Sequence, residues 1–100
     1  MEKRFEFVIT EDAALDIESI RDFNEARQSG LGFRYLEDIL DCLERIEQNP
    51  RDFQYYKTAK EGIRRGLTSR FSVVVLYDIH EREKRIEILT VVDSRQNWFE

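Results

Sequence analysis

The sequence predicts an α+β domain in which a helix hairpin packs on one face of a mostly antiparallel, four-stranded sheet, in the order β-α-α-β-β-β. Three observations support this prediction. An alternating segment opens the chain, two helical patterns follow, and the stretch from Gly62 to Arg95 contains three short strand patterns. With 100 residues, of which 41% are hydrophobic, the chain has the size of a single domain covering residues 1–100.

The first strand and the first helix have clear signals. Apolar residues alternate with their neighbours from residue 5 to residue 9, which is the period of a strand with one buried face. Thr10 is suited to cap the following helix, because its hydroxyl can accept a hydrogen bond from a backbone N–H of the first turn. Helical spacing then places one set of apolar side chains on a common face: Ala13, Ile17, Ile20 and Phe23.

The second helix is broadly apolar and is expected to end at Asn49-Pro50. Gly30 and Gly32 separate the two helices, so the short connection predicts an antiparallel hairpin. Proline disfavours helical geometry in the residue before it and cannot donate to the preceding turn. The width of the apolar stripe indicates packing on both the partner helix and the sheet. The stripe comprises Phe33, Leu36, Leu40 and Leu43, flanked by Tyr35, Ile39, Cys42 and Ile46.

The last three strands show two-residue alternation and have apolar residues on both faces. Strand two is expected at residues 62–67 and strand three at residues 71–79. On strand four, one face is predicted to carry Ile86, Ile88, Thr90 and Val92, and the other Glu87, Leu89, Val91 and Asp93. Because the helix hairpin can bury only one face, a second apolar strip needs another cover. This strip comprises Val74, Leu76, Leu89 and Val91.

Two kinds of cover for this strip are open. Aromatic side chains of the same chain could lie over it, or a partner protein could cover it from outside. The aromatic candidates are Tyr55, Tyr56, Trp98 and Phe99. The second alternative makes this face of the sheet a candidate interaction surface.

The charge of the chain is unevenly distributed. The net charge of −5 argues against a domain whose whole surface grips nucleic acid, and no direct sequence-specific DNA binding is expected. Residues 11–48 contain 11 acidic and 4 basic residues, whereas residues 51–70 contain 6 basic and 2 acidic residues. The acidic helix faces indicate either solvated surface or a docking site for a basic partner.

The composition also indicates the cellular location of the protein and whether it needs a cofactor. The longest apolar run, from Val73 to Leu76, is far shorter than the ~20 residues of a membrane span, and we expect no secretory signal because the first residues lack an apolar stretch. A bacterial cytoplasm is the expected location. Cys42 is the single cysteine and is predicted to be an inert buried thiol. We expect no metal site and no cofactor, and we assign His80 to a solvated turn without a catalytic role.

Four segments, taken in their order along the chain, resemble the RelE/ParE superfamily of toxins. The resemblance spans nearly the whole chain and is carried by Asn49-Pro50, Gly62-Ile63-Arg64-Arg65, Phe71 to Tyr77 and Val91 to Arg95. It implies the toxin half of a type II toxin-antitoxin system, of the kind associated with plasmid stabilisation. RelE-like members cut messenger RNA on the ribosome and ParE-like members poison DNA gyrase. Both are silenced when an antitoxin wraps around them.

Departures from the family pattern indicate the ParE-like branch. RelE-like nucleases carry an arginine early in the third strand, where the nearest residue here is Ser72, and a tyrosine in a C-terminal helix for which this sequence has no counterpart. Under a ribonuclease interpretation, the resemblance leaves Arg64, Arg65 and Arg95 as the catalytic residues. ParE-like proteins have the Gly-x-Arg-Arg strand and often a histidine after strand four, where this chain has Asp93.

The chemistry of RNA cleavage favours the same branch. Cleavage through the 2′-hydroxyl without a metal needs a general base, a general acid and cations that stabilise the charge on the phosphate. The arginines can supply the cations, but the sequence shows no obvious acid. Docking on the ribosome also favours a basic protein, and this chain is acidic.

The resemblance therefore implies a toxin that inhibits a cellular target, DNA gyrase, until a cognate antitoxin neutralises it, and it favours inhibition by binding over an enzymatic reaction. The target-binding residues are expected to be Arg65, Asp93 and Arg95. The antitoxin-binding residues are expected to be Val74, Leu76, Leu89, Val91, Trp98 and Phe99. Two alternatives stay open: a RelE-like, ribosome-dependent mRNA endoribonuclease, and a degenerate toxin fold that acts only as a protein-interaction domain.

Overall fold

The computed structural model describes residues 5–56 and 62–93. The strands form one sheet with the spatial order β1-β4-β3-β2, in which β1 pairs parallel with β4 and the other neighbours pair antiparallel. The predicted order and fold class are confirmed. The elements are β1 (Glu6–Ile9), α1 (Glu11–Arg27), α2 (Leu31–Gln48), a 3-10 turn (Pro50–Asp52), β2 (Arg64–Leu67), β3 (Val73–His80) and β4 (Arg85–Asp93).

Thr10 caps α1 and ties it to the sheet. The backbone N–H of Ala13 donates to the Thr10 hydroxyl oxygen at 3.2 Å, and the hydroxyl itself donates to the carbonyl of Ile88 at 2.8 Å. The predicted cap is confirmed. The buried face of α1 differs from the prediction at one position, because Phe23 is 43% exposed while Asn24 is fully buried.

A single carboxylate organises the start of α2. Gly30, with φ of +88°, occupies the left-handed conformation that glycine adopts without strain and contributes no side-chain cap. Glu25 of α1 instead accepts hydrogen bonds from the N–H groups of Gly30 at 2.8 Å and Gly32 at 2.9 Å. The negative charge also lies at the positive end of the α2 dipole, which favours this hairpin geometry.

Only part of the apolar stripe of α2 is buried. Leu43 lies in the core, but Phe33 is 60% exposed and Leu40 is 50% exposed. α2 contacts α1 and the sheet, and these two surfaces together cover only part of the width of its apolar stripe. Cys42 is buried as predicted, and burial raises the pKa of its thiol to about 11, so it is protonated at neutral pH.

A β-bulge in β4 reverses the predicted alternation of its C-terminal half. Tyr77 pairs with Ile88 and Leu76 with Thr90, which leaves Leu89 as an extra residue without a cross-strand partner. One extra residue exchanges the faces of all residues that follow it. Val91 is therefore 3% exposed in the core, and the prediction that it lies on the uncovered face was wrong.

The turn between β2 and β3 is fastened to α2 by a buried carboxylate. Asp38 is 2% exposed and accepts hydrogen bonds from the N–H groups of Arg70 at 3.1 Å and Phe71 at 2.8 Å. The Phe71 ring stacks on Tyr35 with centroids 3.9 Å apart. Together these contacts hold the C-terminal end of β2 against α2.

Candidate functional site

The face of the sheet turned away from the helices carries apolar side chains. Val73 and Val75 are fully buried beneath the helices, so the alternate residues Val74 and Leu76 face the other way. Leu89 follows the buried Ile88 and lies on the same outer face. With their cross-strand neighbours these residues form the open-face strip: Leu67, Val74, Leu76, Leu89 and Val92.

The open-face strip is partly accessible to solvent. Leu67 is 48% exposed and Val92 is 38% exposed, whereas Val74, Leu76 and Leu89 are half-buried. Val92 takes the place that the sequence pattern assigned to Val91, because of the bulge in β4. Three of the predicted antitoxin-binding residues thus lie together on this face. Trp98 and Phe99 are outside the described residues.

Arg65 lies at the border of the open-face strip. It is the cross-strand partner of Leu76 and is exposed. Within the described part of the chain, its guanidinium makes one long contact, from Nη2 to Oε1 of Gln54 at 3.5 Å, which is at the limit of a hydrogen bond. A cation at this position can meet a carboxylate or a carbonyl of a partner without first breaking a strong internal contact.

Arg64, its neighbour in sequence, has a structural role. It donates to the carbonyl of Phe53 and, from Nη2, to the hydroxyl of Tyr55 at 3.0 Å. The same guanidinium lies 4.1 Å from the centroid of the Tyr55 ring. Arg64 therefore holds the segment before β2 against the sheet edge, as expected when adjacent strand residues point in different directions.

Asp93 does not join Arg65 on the open face. It is 3% exposed and pairs in register with Val73, whose side chain faces the helices. The same bulge that buries Val91 also turns Asp93 inward, so its predicted place on a target-binding surface was wrong. Arg95, the third predicted target-binding residue, lies outside the described residues.

A polar cluster lies near the β3–β4 turn, and the assignment of His80 to a solvated turn was wrong, because His80 is the last residue of β3 and is half-buried. Nε2 of His80 is 2.8 Å from Oε1 of Glu87 and 3.9 Å from Oδ2 of Asp78. Arg85 is the cross-strand partner of His80. The signal was available in the alternation of β3 and β4, which places Asp78 opposite Glu87. Two carboxylates beside one histidine make this end of the face unfavourable for a phosphate group.

The described ranges contain neither a metal cluster nor a membrane-spanning helix. No three His, Cys, Asp or Glu side chains within residues 5–56 and 62–93 are placed to hold a metal ion. Within the same ranges, both helices are too short or too polar to cross a bilayer.

Comparisons with known proteins agree with this fold. The structure resembles the chromosomal ParDE TA system from P. aeruginosa with a TM-score of 0.74 and 18% identity, over 90% of this chain and 96% of that chain. It also resembles the toxin-antitoxin complex RelBE2 from Mycobacterium tuberculosis with a TM-score of 0.65 and 16% identity, over 91% of this chain and 99% of that chain. These identities show a shared fold alone.

Sequence comparison identifies the family. No curated protein sequence matches the chain significantly. The model of the family described as ParE toxin of type II toxin-antitoxin system, parDE, matches residues 7–98, which is nearly the whole chain. The chain therefore belongs to the ParE toxin family of type II toxin-antitoxin systems.

Proposed function

We propose that this chain is a toxin that inhibits a bacterial protein target by binding it, and that a cognate antitoxin neutralises it. The target implied by the resemblance is DNA gyrase, which would place the protein in the cytoplasm. Family membership supports the toxin role, and the two structural neighbours come from toxin-antitoxin systems. The choice of gyrase rests on the resemblance, and the preference for a binding mechanism rests on the open face of the sheet.

One observation carries the preference for binding over RNA cleavage: among residues 5–56 and 62–93, no acid, base or histidine contacts the Arg65 side chain, which pairs across the sheet with Leu76 and contacts Gln54. His80 is the histidine of this face and lies four residues further along β3 than Leu76, the partner of Arg65. Four residues of strand span about 13 Å, at ~3.3 Å per residue. A general base and a phosphate-binding cation must act on one phosphodiester together, and this separation is too large.

The turn at Ser72 adds to this argument. Ser72 is the position nearest to the strand-three arginine that the resemblance associates with RelE-like nucleases. Here it is an exposed residue with φ of 59°, just before β3 begins at Val73. A hydroxyl at this position supplies no positive charge for a transition state. The ribonuclease function remains the second candidate, favoured only by the arginines of β2.

We expect Arg65→Ala to abolish most of the growth inhibition while leaving the protein folded. The side chain is exposed and makes one weak contact, so the free energy of unfolding should change by less than about 0.5 kcal/mol. Inhibition of gyrase supercoiling by the purified protein should weaken by about tenfold or more, because arginines are enriched among the residues that dominate the binding energy of interfaces. Arg82→Ala, in the exposed turn after β3, is the matched control and should inhibit like the wild type.

Translation extracts test the alternative ribonuclease function. Site-specific mRNA cleavage on ribosomes, lost in Arg65→Ala, would replace gyrase inhibition with the ribonuclease function. A wild-type protein that inhibits neither gyrase nor translation, yet binds an antitoxin, would indicate a domain that only binds proteins.

The antitoxin is expected to cover the open-face strip and thereby shield Arg65. Leu67 and Leu76 flank Arg65 in sequence and across the sheet, so a chain lying on the strip necessarily approaches the guanidinium. Burial of apolar surface provides ~25 cal/mol per Å2, which makes this strip a substantial source of affinity.

Leu67→Glu should weaken antitoxin binding by about tenfold or more, because a charge on the strip must be desolvated in the complex. Leu67 is 48% exposed, so the isolated protein should keep its melting temperature. Leu40→Glu, at a leucine of α2 that is 50% exposed, is the control and should bind like the wild type. Equal affinities for all three proteins, measured by calorimetry, would show that the antitoxin does not use this strip.

A further inference from the structure

The bulge of β4 decides which side chains belong to the open-face strip. Leu89 is the extra residue of this bulge. A regular strand would carry Val91 and Asp93 onto the open face and turn Val92 towards the helices. In the structure these three positions are exchanged, with Val92 38% exposed and the other two each 3% exposed. The chemistry of the strip therefore depends on where β4 bulges.

The side chains of β4 do not by themselves favour the bulge. Burial of Asp93 takes a carboxyl group out of water, which costs free energy, whereas a regular strand would leave this group at the surface. Val91 and Val92 have the same side chain, so exchanging them changes the buried apolar area little. The bulged register therefore needs stabilising contacts that a regular strand would lack.

Thr10, the cap of α1, contacts the bulge from the edge of the sheet. Its hydroxyl donates to the carbonyl of Ile88 at 2.8 Å and lies 3.3 Å from the carbonyl oxygen of Leu89. Carbonyls of consecutive residues point to opposite edges of a regular strand, so one hydroxyl reaches two of them only where the alternation is broken. This pair of contacts is therefore specific to the bulged register.

Asp16, in the second turn of α1, contacts the two residues that follow the bulge. Its Oδ2 accepts hydrogen bonds from the hydroxyl of Thr90 at 2.7 Å and from the N–H of Val91 at 3.0 Å. The carbonyl of Ile88 is turned towards β1, so in a regular strand the N–H of Val91, three residues further on, would point towards β3. The hydrogen bond from Val91 to Asp16 thus exists only in the bulged register, and a carboxylate is a stronger acceptor than a neutral group.

We propose that Asp16, supported by Thr10, is a positioning residue that selects the bulged register of β4 and so determines which side chains the open-face strip offers to a partner protein. Without the Asp16 carboxylate, β4 takes the regular register, in which Val91 and Asp93 replace Val92 on the strip. A carboxyl group among apolar side chains must be desolvated when a partner covers it, which weakens binding. The use of the strip as a binding surface rests on the proposed function, whereas the register is a property of this chain alone.

Cysteine probes can report the register without any partner. The native thiol, Cys42, is buried and protonated at neutral pH, so it should react very slowly with a thiol reagent while the protein is folded. Val91→Cys and Val92→Cys are made in separate proteins. With Asp16 present, the Val92→Cys protein should react about tenfold or more faster than the Val91→Cys protein, because residue 92 is exposed and residue 91 is buried.

Addition of Asp16→Ala should reverse this order, with Val91→Cys reacting about tenfold faster than before and Val92→Cys about tenfold slower. Asp16→Asn keeps an oxygen that can accept both hydrogen bonds and should preserve the native order. Asp22→Ala, at an exposed aspartate of the same helix, is the matched control and should also preserve it. Faster reaction at both positions would show that the strand end detaches instead of changing register, and unchanged rates would show that the bulge forms without Asp16. Either result would overturn the proposal.

Thr90→Val is the second variant, for the case that Asp16→Ala unfolds the protein and makes Cys42 reactive. It removes the hydrogen bond from the Thr90 hydroxyl and keeps a branched side chain of similar shape. With Cys42 still protected, it should change the two probe rates in the same opposite directions by about threefold, because one of the two hydrogen bonds is lost. Unchanged rates in this folded variant would overturn the proposal.

Affinity measurements separate this proposal from the proposed function. Asp16→Ala should weaken binding to the antitoxin or to gyrase by about tenfold, whereas Asp16→Asn should bind like the wild type. If the probe rates reverse and both affinities stay the same, the open-face strip is not the binding surface, so the proposed function loses its site while the role of Asp16 in the register stands. If the probe rates do not reverse, the role of Asp16 is overturned and the toxin function is unaffected.

Discussion

Gly32→Ala is expected to destabilise the protein by about 3 kcal/mol, the upper part of the usual range for an overpacked core. A β-carbon at this position would lie 2.4 Å from the carbonyl oxygen of Arg21 and 2.9 Å from Cβ of Glu25. The first of these is a backbone atom inside α1, so it cannot move without separating the two helices. The midpoint of urea unfolding measures the loss.

The same substitution two residues earlier is the control for this prediction. A β-carbon at Gly30 would have no atom within 4 Å, and only its φ of +88° opposes a side chain. Gly30→Ala should therefore cost about 1 kcal/mol, the usual penalty of the left-handed conformation. Equal losses in the two variants would show that the helices can separate easily and that their close approach contributes little.

Asp38→Ala is expected to cost about 3 kcal/mol, because it leaves buried backbone donors without their charged acceptor. The carboxylate accepts the N–H groups of both Arg70 and Phe71, and the residue is 2% exposed. For a domain of this size, such a loss should lower the melting temperature by about 10 °C or more. Asp41→Ala, an exposed position on the same helix, should change the melting temperature very little.

The effect of Asp38→Ala should extend to the open face. The turn that Asp38 holds connects β2 to β3 and directly follows Leu67, so a looser turn should also weaken antitoxin binding to the folded fraction. A melting temperature equal to that of Asp41→Ala would mean that water replaces the carboxylate without loss, and that the stacked Phe71 ring and the hydrogen bonds between Thr68 and Val73 are sufficient to hold the turn.

Local signals in the sequence were sufficient for the elements and their order. The cap at Thr10, the end of α2 before Pro50 and the strand alternation each depend on residues within one or two turns of each other. Such short-range preferences do not depend on tertiary contacts, so they can be recognised from residues that are close together in the sequence. The family was also accessible from sequence, because its motifs occur in a fixed order along the chain.

The candidate site was predicted only in part. Val74, Leu76 and Leu89 lie on the open face as expected, but Val91 and Asp93 are buried. No local pattern in residues 85–93 marks the bulge, which arises from the pairing of β4 with β3. A register between strands is a property of two segments and their packing, so the alternation of one strand cannot determine it.

The arginines of β2 and the exposed face of α2 also show what the sequence determines and what only tertiary packing decides. The sequence by itself determined that only one of Arg64 and Arg65 can extend from the open face, because strand neighbours point in different directions. Only the tertiary structure decided which one, by placing Tyr55 and Phe53 beside Arg64. It also decided that Phe33 and Leu40 remain exposed, since a helix buries only the surface that its neighbours reach, whatever the width of its apolar stripe.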